Sequence, residues 1–352
     1  MLHTLSKGPR VYLAFLVPMT LIASIVIFGS GSLLAQEQAP PPSTYIPFNV
    51  PGAGTEKTQG TMPVAIARGW IAGNVVGPHN FSQGFRRAPN GSYKLVDVPG
   101  SHYTVVMGVN LRGQVAGYFF EKLLRGFLRD TDGTYIEVTP PDAEDTIVRC
   151  INGDGQVGGD AVSASGSYGF LWDAVTGFTT FNVPGAQTSP SVFAINGSGV
   201  VTGSYYDANY NAHGYVRFPS GKIETFVGSD DAVTTWPTAI NASGQVTGYV
   251  DTPTSSRGFV RDPDGTITLF LSGTQGHAYP RGINNSGYIV GYIRQTTGPS
   301  IPFERDPLGN VTFLQLPHPL LNNDPQGIDE DGTIVGWYTD ANISKHGWRL
   351  IP

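Results

Sequence analysis

The side chains best suited to metal chemistry in this sequence are acidic residues in short segments that end in glycine. Three such segments are similar to the start of a calcium loop: Asp130-Thr131-Asp132-Gly133, Asp262-Pro263-Asp264-Gly265 and Asp329-Glu330-Asp331-Gly332. A calcium loop also needs further oxygen ligands and a distal bidentate glutamate, which these segments lack. Asp-Gly is a common hairpin turn. We therefore predict turns here and expect no metal site.

Histidine and cysteine offer little further chemistry. His213 and His346 occupy one equivalent position of a repeat described below, but other residue types fill it elsewhere, which argues against a zinc cluster. Cys150, the single cysteine, takes a position filled elsewhere by glycine or alanine, and no motif ties a histidine to it. We predict structural roles for these residues and expect no catalytic residue and no cofactor.

A repeated segment accounts for most recurring residues. The pattern small-Ile-Asn-x-x-Gly-x-Val-x-Gly occurs six times, and a shorter copy runs from Ala65 to Gly73. The final glycines of the seven copies are Gly73, Gly117, Gly159, Gly203, Gly248, Gly291 and Gly336. They are spaced 42 to 45 residues apart, and this regularity marks a repeat architecture.

Each repeat holds four candidate strands, which we name A to D in chain order. In the fifth repeat they are Thr234–Ile240, Gln245–Val250, Gly258–Arg261 and Thr266–Leu271, with turn-forming residues between A and B and between C and D. The 46 glycines and the low charged fraction of 14% suit many short strands joined by tight turns. We therefore predict an all-β fold, a seven-bladed β-propeller with four-stranded blades over residues 44–352.

The two ends of the repeat region favour a closed ring over an open stack. The last repeat stops at strand C, Gly347–Leu350, and an orphan strand, Tyr45–Val50, precedes the first repeat. The segment Phe48–Ala53 recurs identically at Phe181–Ala186, which includes strand D of the third repeat. If the N-terminal strand completes the last blade, every strand edge finds a partner. We predict this closure.

Recurrent prolines, glycines and aromatic residues predict how the strands are arranged. Strand A carries Pro63, Pro237, Pro280 and Pro325 at one position, and proline is confined to edge strands, so we place strand A at the channel wall. The strand B glycine makes room for an aromatic ring against the backbone. We interpret the recurrent aromatic residues of strand C as packing. They are Phe85, Phe127, Phe170, Tyr215, Phe259, Phe303 and Trp348.

The N-terminus is typical of an export segment. Basic residues precede an apolar run, Val11–Phe28, and small residues follow as far as Ala35. This pattern predicts a secretory signal over residues 1–35, although the run is also long enough for an uncleaved membrane anchor. Residues 36–43 form a Pro-rich linker. We expect a secreted, periplasmic or cell-surface protein that meets a membrane only through this segment.

The charge balance excludes one class of partner. The net charge is −6, and no basic cluster follows residue 10. Nucleic-acid binding depends on neutralising phosphates, so we expect no nucleic-acid partner.

A single cysteine makes a disulfide within the chain impossible. We expect a monomer.

The repeat resembles an extracellular repeat family named for a His-Ala-Phe motif. The likeness rests on the pattern Ile195–Gly203 followed by His213-Gly214-Tyr215, with glycine in place of the family's alanine. It covers roughly residues 44 to 352. The resemblance implies export and a propeller-like fold, and it brings no catalytic residues to this chain.

One loop face is predicted to hold the binding site. The A–B connections are nearly constant in length, whereas the D–A and B–C connections on the opposite face vary and carry unusual side chains. These side chains are Tyr205, Tyr206, Tyr210, Trp236, Tyr279 and Arg281. Aromatic rings with a polar group, beside an arginine, suit a sugar or a peptide. An alternative is that Trp236 and Tyr279 only plug the channel mouth.

Together these features predict an exported, non-enzymatic binding module for a glycan or a peptide. The alternative is a secreted carbohydrate-active enzyme, a glycosidase or lyase, with its site on the D–A and B–C loop face, because one fold hosts many functions. Two carboxylates facing one central cleft at glycosidase separation would favour the enzyme.

Overall fold

The computed structural model describes residues 43–188, 190–271, 276–317 and 322–352, all within one compact unit, Pro41–Pro352. Regular structure in these ranges is β-strand apart from a short 3-10 turn at Pro78–Asn80, and the predicted all-β class is confirmed. The predicted export segment, residues 1–35, and nearly all of the predicted linker, 36–43, lie outside the described residues. Across the described ranges, no helix has the length and apolar character needed to cross a membrane.

The strands follow the repeats, and consecutive strands within a repeat pair antiparallel. The N-terminal strand is β1 (Thr44–Phe48). The first repeat holds β2 (Gly60–Ala67), β3 (Trp70–Val76), β4 (Ser82–Arg87) and β5 (Tyr93–Val96). The second holds β6 (Tyr103–Val109), β7 (Val115–Phe120), β8 (Leu124–Arg129) and β9 (Tyr135–Glu137). The third holds β10 (Ala143–Ile151), β11 (Val157–Ser163), β12 (Gly166–Asp173) and β13 (Gly177–Phe181).

The remaining repeats have the same order. The fourth holds β14 (Ser191–Ile195), β15 (Val201–Tyr206), β16 (Ala212–Arg217) and β17 (Ile223–Phe226). The fifth holds β18 (Thr234–Ile240), β19 (Val246–Asp251), β20 (Ser256–Arg261) and β21 (Ile267–Phe270). The sixth holds β22 (His277–Ile283), β23 (Ile289–Arg294), β24 (Ile301–Arg305) and β25 (Val311–Phe313). The seventh holds β26 (Asn323–Ile328), β27 (Ile334–Thr339) and β28 (Lys345–Ile351).

The N-terminal strand pairs with the last repeat, as the chain ends predict. β1 runs antiparallel to β28, from Thr44 opposite Ile351 to Phe48 opposite Gly347. It is shorter than the predicted Tyr45–Val50 at its C-terminal end, because the Val50 amide donates to the Thr61 hydroxyl at 3.0 Å instead of joining the ladder.

The first strands of the repeats contact one another in chain order, and β26 contacts β2. They are β2, β6, β10, β14, β18, β22 and β26. All four recurrent prolines lie on these strands and are buried. This agrees with the prediction that strand A is the edge strand of each repeat.

Glycine in the second strand makes room for two neighbours. A Cβ atom on Gly248 would lie 2.1 Å from the Trp236 carbonyl oxygen and 2.8 Å from the Phe259 ring. Glycine is therefore required at this position for two reasons, because both the aromatic ring and the carbonyl oxygen of the first strand lie too close for a side chain. The strand C aromatic residues are at most 1% exposed, as their predicted packing role requires.

Asparagine side chains in the A–B turns join neighbouring repeats. In each case Nδ2 donates to the backbone carbonyl of the equivalent residue in the next repeat, at 3.1 to 3.2 Å. Oδ1 faces its own turn, where that of Asn196 accepts from the amides of Ser198 and Val200. We call this series the turn ring. Its members are Asn110, Asn152, Asn196, Asn241, Asn284 and Asp329.

Asp329 links the seventh repeat to the first. Its two carboxylate oxygens accept from the backbone amides of Arg68 at 2.8 Å and Gly69 at 2.6 Å. Arg68 and Gly69 have φ of 50° and 75°, the geometry of a two-residue hairpin turn. The shortened first repeat thus presents two donors, which a carboxylate satisfies and an amide cannot.

Candidate functional site

A cavity of about 310 Å³ lies among the first strands of all seven repeats. We call it the inner cavity. Its lining residues are Val64, Met107, Arg149, Phe193, Trp236, Pro237, Thr238, Tyr249, Arg281 and Gln326. Its volume falls at the lower end of the range of ligand pockets in proteins.

Seven of the lining residues share one backbone geometry. Each first strand has a register shift that skips one residue, as between Pro237 and Ala239, where Thr238 has no partner on the next strand. A β-bulge of this kind redirects the side chain of the extra residue. We call this residue the bulge position. Its occupants are Val64, Met107, Arg149, Phe193, Thr238, Arg281 and Gln326.

The lining of the cavity is chemically uneven, because its aromatic residues come from the fourth and fifth repeats. Trp236 lies 6.1 Å from Phe193 between ring centroids and meets Tyr206 edge-on at 6.0 Å. Tyr249 lines the cavity and packs edge-on against Tyr279 at 4.8 Å. Burial raises the pKa of Tyr249 to about 12, so it is a neutral phenol. The first two repeats contribute aliphatic residues instead.

Two arginines line the cavity from equivalent positions but have different partners. Arg149 forms two hydrogen bonds with Asp160, its Nη2 lying 3.1 Å from Oδ2. Burial alone would lower the pKa of Arg149, but Asp160 raises it above the ordinary value. Arg281 donates from Nη2 to the Tyr292 hydroxyl at 2.9 Å and lies over that ring.

Four of the six predicted site residues lie at or beside this cavity. Trp236 and Arg281 line it. Tyr206 contacts Trp236, and Tyr279 lies against Tyr249 and also 5.4 Å from Tyr292 between ring centroids.

The other two lie elsewhere. Tyr205 belongs to strand β15, not to the following loop, is 8% exposed and packs against His213. Tyr210 is 74% exposed in the turn after β15 and is not among the lining residues. Tyr205 and Tyr206 are consecutive residues of β15, and successive side chains of a strand point to opposite faces. This explains why Tyr206 contacts Trp236 and Tyr205 does not.

Arg149, Phe193, Tyr249 and Gln326 also line the cavity but are not among the residues predicted from the loops. The signal for three of them is present in the repeat, in the residue just before the small residue that begins the motif. That column varies among valine, methionine, arginine, phenylalanine, threonine and glutamine, whereas the residue before it is always proline or valine and the residue after it is always small. Tyr249 follows the strand B glycine and is brought to the cavity by pairing with Trp236.

The residues first considered for metal or nucleophile chemistry have structural partners. His213 and His346 bond to Asp207 at 2.9 Å and Asp340 at 3.2 Å. Cys150 is 8% exposed, and burial raises the pKa of its thiol to about 12. Within the part of the chain that the structure describes, no three histidine, cysteine or acidic side chains cluster as metal ligands would.

No protein-family model and no curated protein sequence matches this chain. Solved structures do match it. A virginiamycin B lyase from Staphylococcus aureus shares 14% identity, with 88% of this chain and 100% of that chain covered and a TM-score of 0.59. The β-propeller domain of the Trilobed protease from Pyrococcus furiosus shares 10% identity, with 84% and 95% covered and a TM-score of 0.59.

A puromycin hydrolase mutant shares 12% identity over 80% of this chain and 50% of that chain, with a TM-score of 0.56. At these identities the likeness shows the fold alone. The fold is a β-propeller, and the predicted propeller architecture is confirmed at that level.

Proposed function

We propose that this protein is an exported, non-enzymatic binding module that holds a glycan or a peptide in the inner cavity. The supporting observation is the bulge position, where seven strands with one backbone geometry direct different side chains into one cavity. A purely structural role would not need this variety. The aromatic sector around Trp236 and Tyr249 offers flat apolar faces with polar groups, which suit either ligand.

We also propose that the seven repeats are seven four-stranded blades of a closed ring, with β1 as the fourth strand of the last blade. The antiparallel pairing within each repeat and the β1–β28 ladder support this. The contact of β26 with β2 and the bonds of Asp329 to the first repeat also support it.

The rival is a carbohydrate-active enzyme. A glycosidase needs two carboxylates on either side of the scissile bond. The charged side chains that line the inner cavity are Arg149 and Arg281. The adjacent Asp160 carboxylate is already paired with Arg149. This chemistry favours binding over hydrolysis at this cavity.

Export and membership of the His-Ala-Phe repeat family stay proposals that rest on sequence. The expected result of cell fractionation is recovery outside the cytoplasm, with residues 1–35 either removed or holding the protein at a membrane. Recovery as a soluble cytoplasmic protein with its first residues intact would overturn this part.

Binding can be tested on glycan and peptide arrays with the purified protein. We expect hits that are lost in the double variant Trp236→Ala with Tyr279→Ala, because it removes the Trp236 ring from the lining and the ring that packs against Tyr249. Tyr210→Ala is the matched control, since it removes an exposed aromatic ring away from the lining. Hits that survive the double substitution would put the site elsewhere, and release of cleaved or unsaturated sugar would favour the enzyme.

A further inference from the structure

The two arginines of the inner cavity form a natural comparison. Arg149 and Arg281 both occupy the bulge position, and each faces the residue that follows the strand B glycine of its own repeat. In the third repeat that residue is Asp160, which neutralises Arg149. In the sixth repeat it is Tyr292, a neutral partner. One guanidinium is therefore paired with a carboxylate of its own repeat, and the other is bonded to a tyrosine hydroxyl.

The Arg281 side chain is half-buried and has no carboxylate as a hydrogen-bond partner. Among the described residues it forms no ion pair, and its Nε is buried without a hydrogen-bond partner. The Asp324 carboxylate on the neighbouring β26 interacts electrostatically with Arg281, but it interacts in the same way with Arg294 and Lys345. It also accepts a hydrogen bond from the Ser300 hydroxyl at 2.9 Å and is itself buried. A half-buried charge without a close counter-ion is less favourable than a paired one, and a ligand carboxylate would supply that partner.

We propose that the inner cavity takes a carboxylate-bearing sugar, a uronic acid residue, with the carboxylate on Arg281 and the sugar ring against Trp236 and Tyr249. This rests on the proposed binding function of the cavity. Arginine binds a carboxylate through two parallel hydrogen bonds, and its bond to Tyr292 leaves other N–H groups for this purpose. The aromatic residues beside it supply flat faces for the ring.

An extended peptide fits this wall less well. Peptides commonly bind by adding a strand to a sheet edge, where backbone hydrogen bonds supply the affinity. The edge strands here carry Pro237 and Pro280 next to the bulge position, and a bulge also interrupts the ladder at that point. Both features oppose strand addition, whereas a sugar needs no backbone ladder.

The test is calorimetry of the purified full chain with galacturonic and glucuronic acid oligosaccharides and with the same compounds after reduction of their carboxyl groups. We expect the carboxylated forms to bind at least ~10-fold more tightly, as charge-assisted hydrogen bonds imply. Arg281→Gln should remove this preference, and Arg281→Lys should keep part of it. Lys94→Gln, which removes an exposed charge from β5, should change nothing.

The other outcomes separate this inference from the proposed function. Equal binding of carboxylated and reduced sugars, or a preference that survives Arg281→Gln in protein with an unchanged melting temperature, would overturn the carboxylate site and leave the binding function standing. Binding of peptides but not sugars, lost with Trp236→Ala, would do the same. If no uronate, reduced sugar or peptide binds in a way that depends on Trp236, both proposals fail.

Discussion

The turn ring and the bulge position are both repeated around the fold, yet they treat their side chains in opposite ways. The turn ring uses asparagine in five repeats and aspartate in a sixth, and each side chain forms a hydrogen bond with a backbone group of the neighbouring repeat. The bulge position places six residue types at one geometry. Where the backbone depends on hydrogen bonds from a side chain, the residue is asparagine or aspartate. Where the backbone needs no such bond, the residue type varies and the side chain is available for binding.

The largest effect on stability is expected from removing β1, which belongs neither to the turn ring nor to the strands that carry the bulge position. Deleting residues 44–50 strips β1 from β28, uncovers the fully buried Trp348 and removes the buried Val50. We expect insoluble protein or a melting temperature lower by at least about 10 °C, since several core contacts are lost at once.

Deleting residues 36–42 is the matched control for this experiment and should leave the melting temperature unchanged. An unaltered melting temperature after loss of residues 44–50 would show that β1 does not complete the last blade.

A smaller effect is expected at the joint of the turn ring. Asp329→Ala leaves the amides of Arg68 and Gly69 without acceptors, which should cost about 2–4 kcal/mol in the free energy of unfolding. Urea denaturation measures this. Asp331→Ala, which removes one bond to the Thr333 amide in the same turn, is the control and should cost about 1 kcal/mol or less. If the two variants are equally stable, the joint does not depend on Asp329.

The smallest effect on stability is expected at the bulge position. Phe193→Thr copies the residue that the fifth repeat already holds at this site, so we expect a change below about 1 kcal/mol in urea denaturation. Ligand binding should nevertheless weaken about 10-fold, because Phe193 contacts Trp236. If Phe193→Thr lowers the free energy of unfolding as much as Asp329→Ala does, the bulge position is as important for stability as the turn ring, and the comparison above is wrong.

Much of the fold follows from the sequence, because turns and edge strands leave local marks. The spacing from Gly73 to Gly336 predicts the repeats, the prolines predict the edge strand, and the unpaired ends predict the β1–β28 pairing. Asparagine in the A–B turns is compatible with turn chemistry alone, so its bond to the next repeat is not predictable from one repeat. That bond depends on how neighbouring repeats pack.

The site is less predictable, and the bulge is the reason. One extra residue in a strand shifts the alternation of inward and outward side chains without leaving a recognisable motif. Arg149 and Phe193 therefore look like ordinary strand residues, although they line the cavity. Trp236 and Arg281 are predictable because they are unusual residue types near a loop. The prediction of Tyr205 as a loop residue is wrong because β15 extends further than its sequence indicates.

The pairing of β1 with β28 also affects how the chain avoids aggregation while it is being made. Thr44 pairs with Ile351 across almost the whole described chain, so β1 is synthesised long before its partner exists. Until then, Tyr45, Ile46 and Phe48 form a short apolar segment with an unsatisfied edge, which is prone to pair with other chains. Pro47 interrupts that segment, lacks a donor and is exposed on the finished strand. A proline at such a position is typical of gatekeeper residues, which oppose pairing with other chains before the partner strand, here β28, is available.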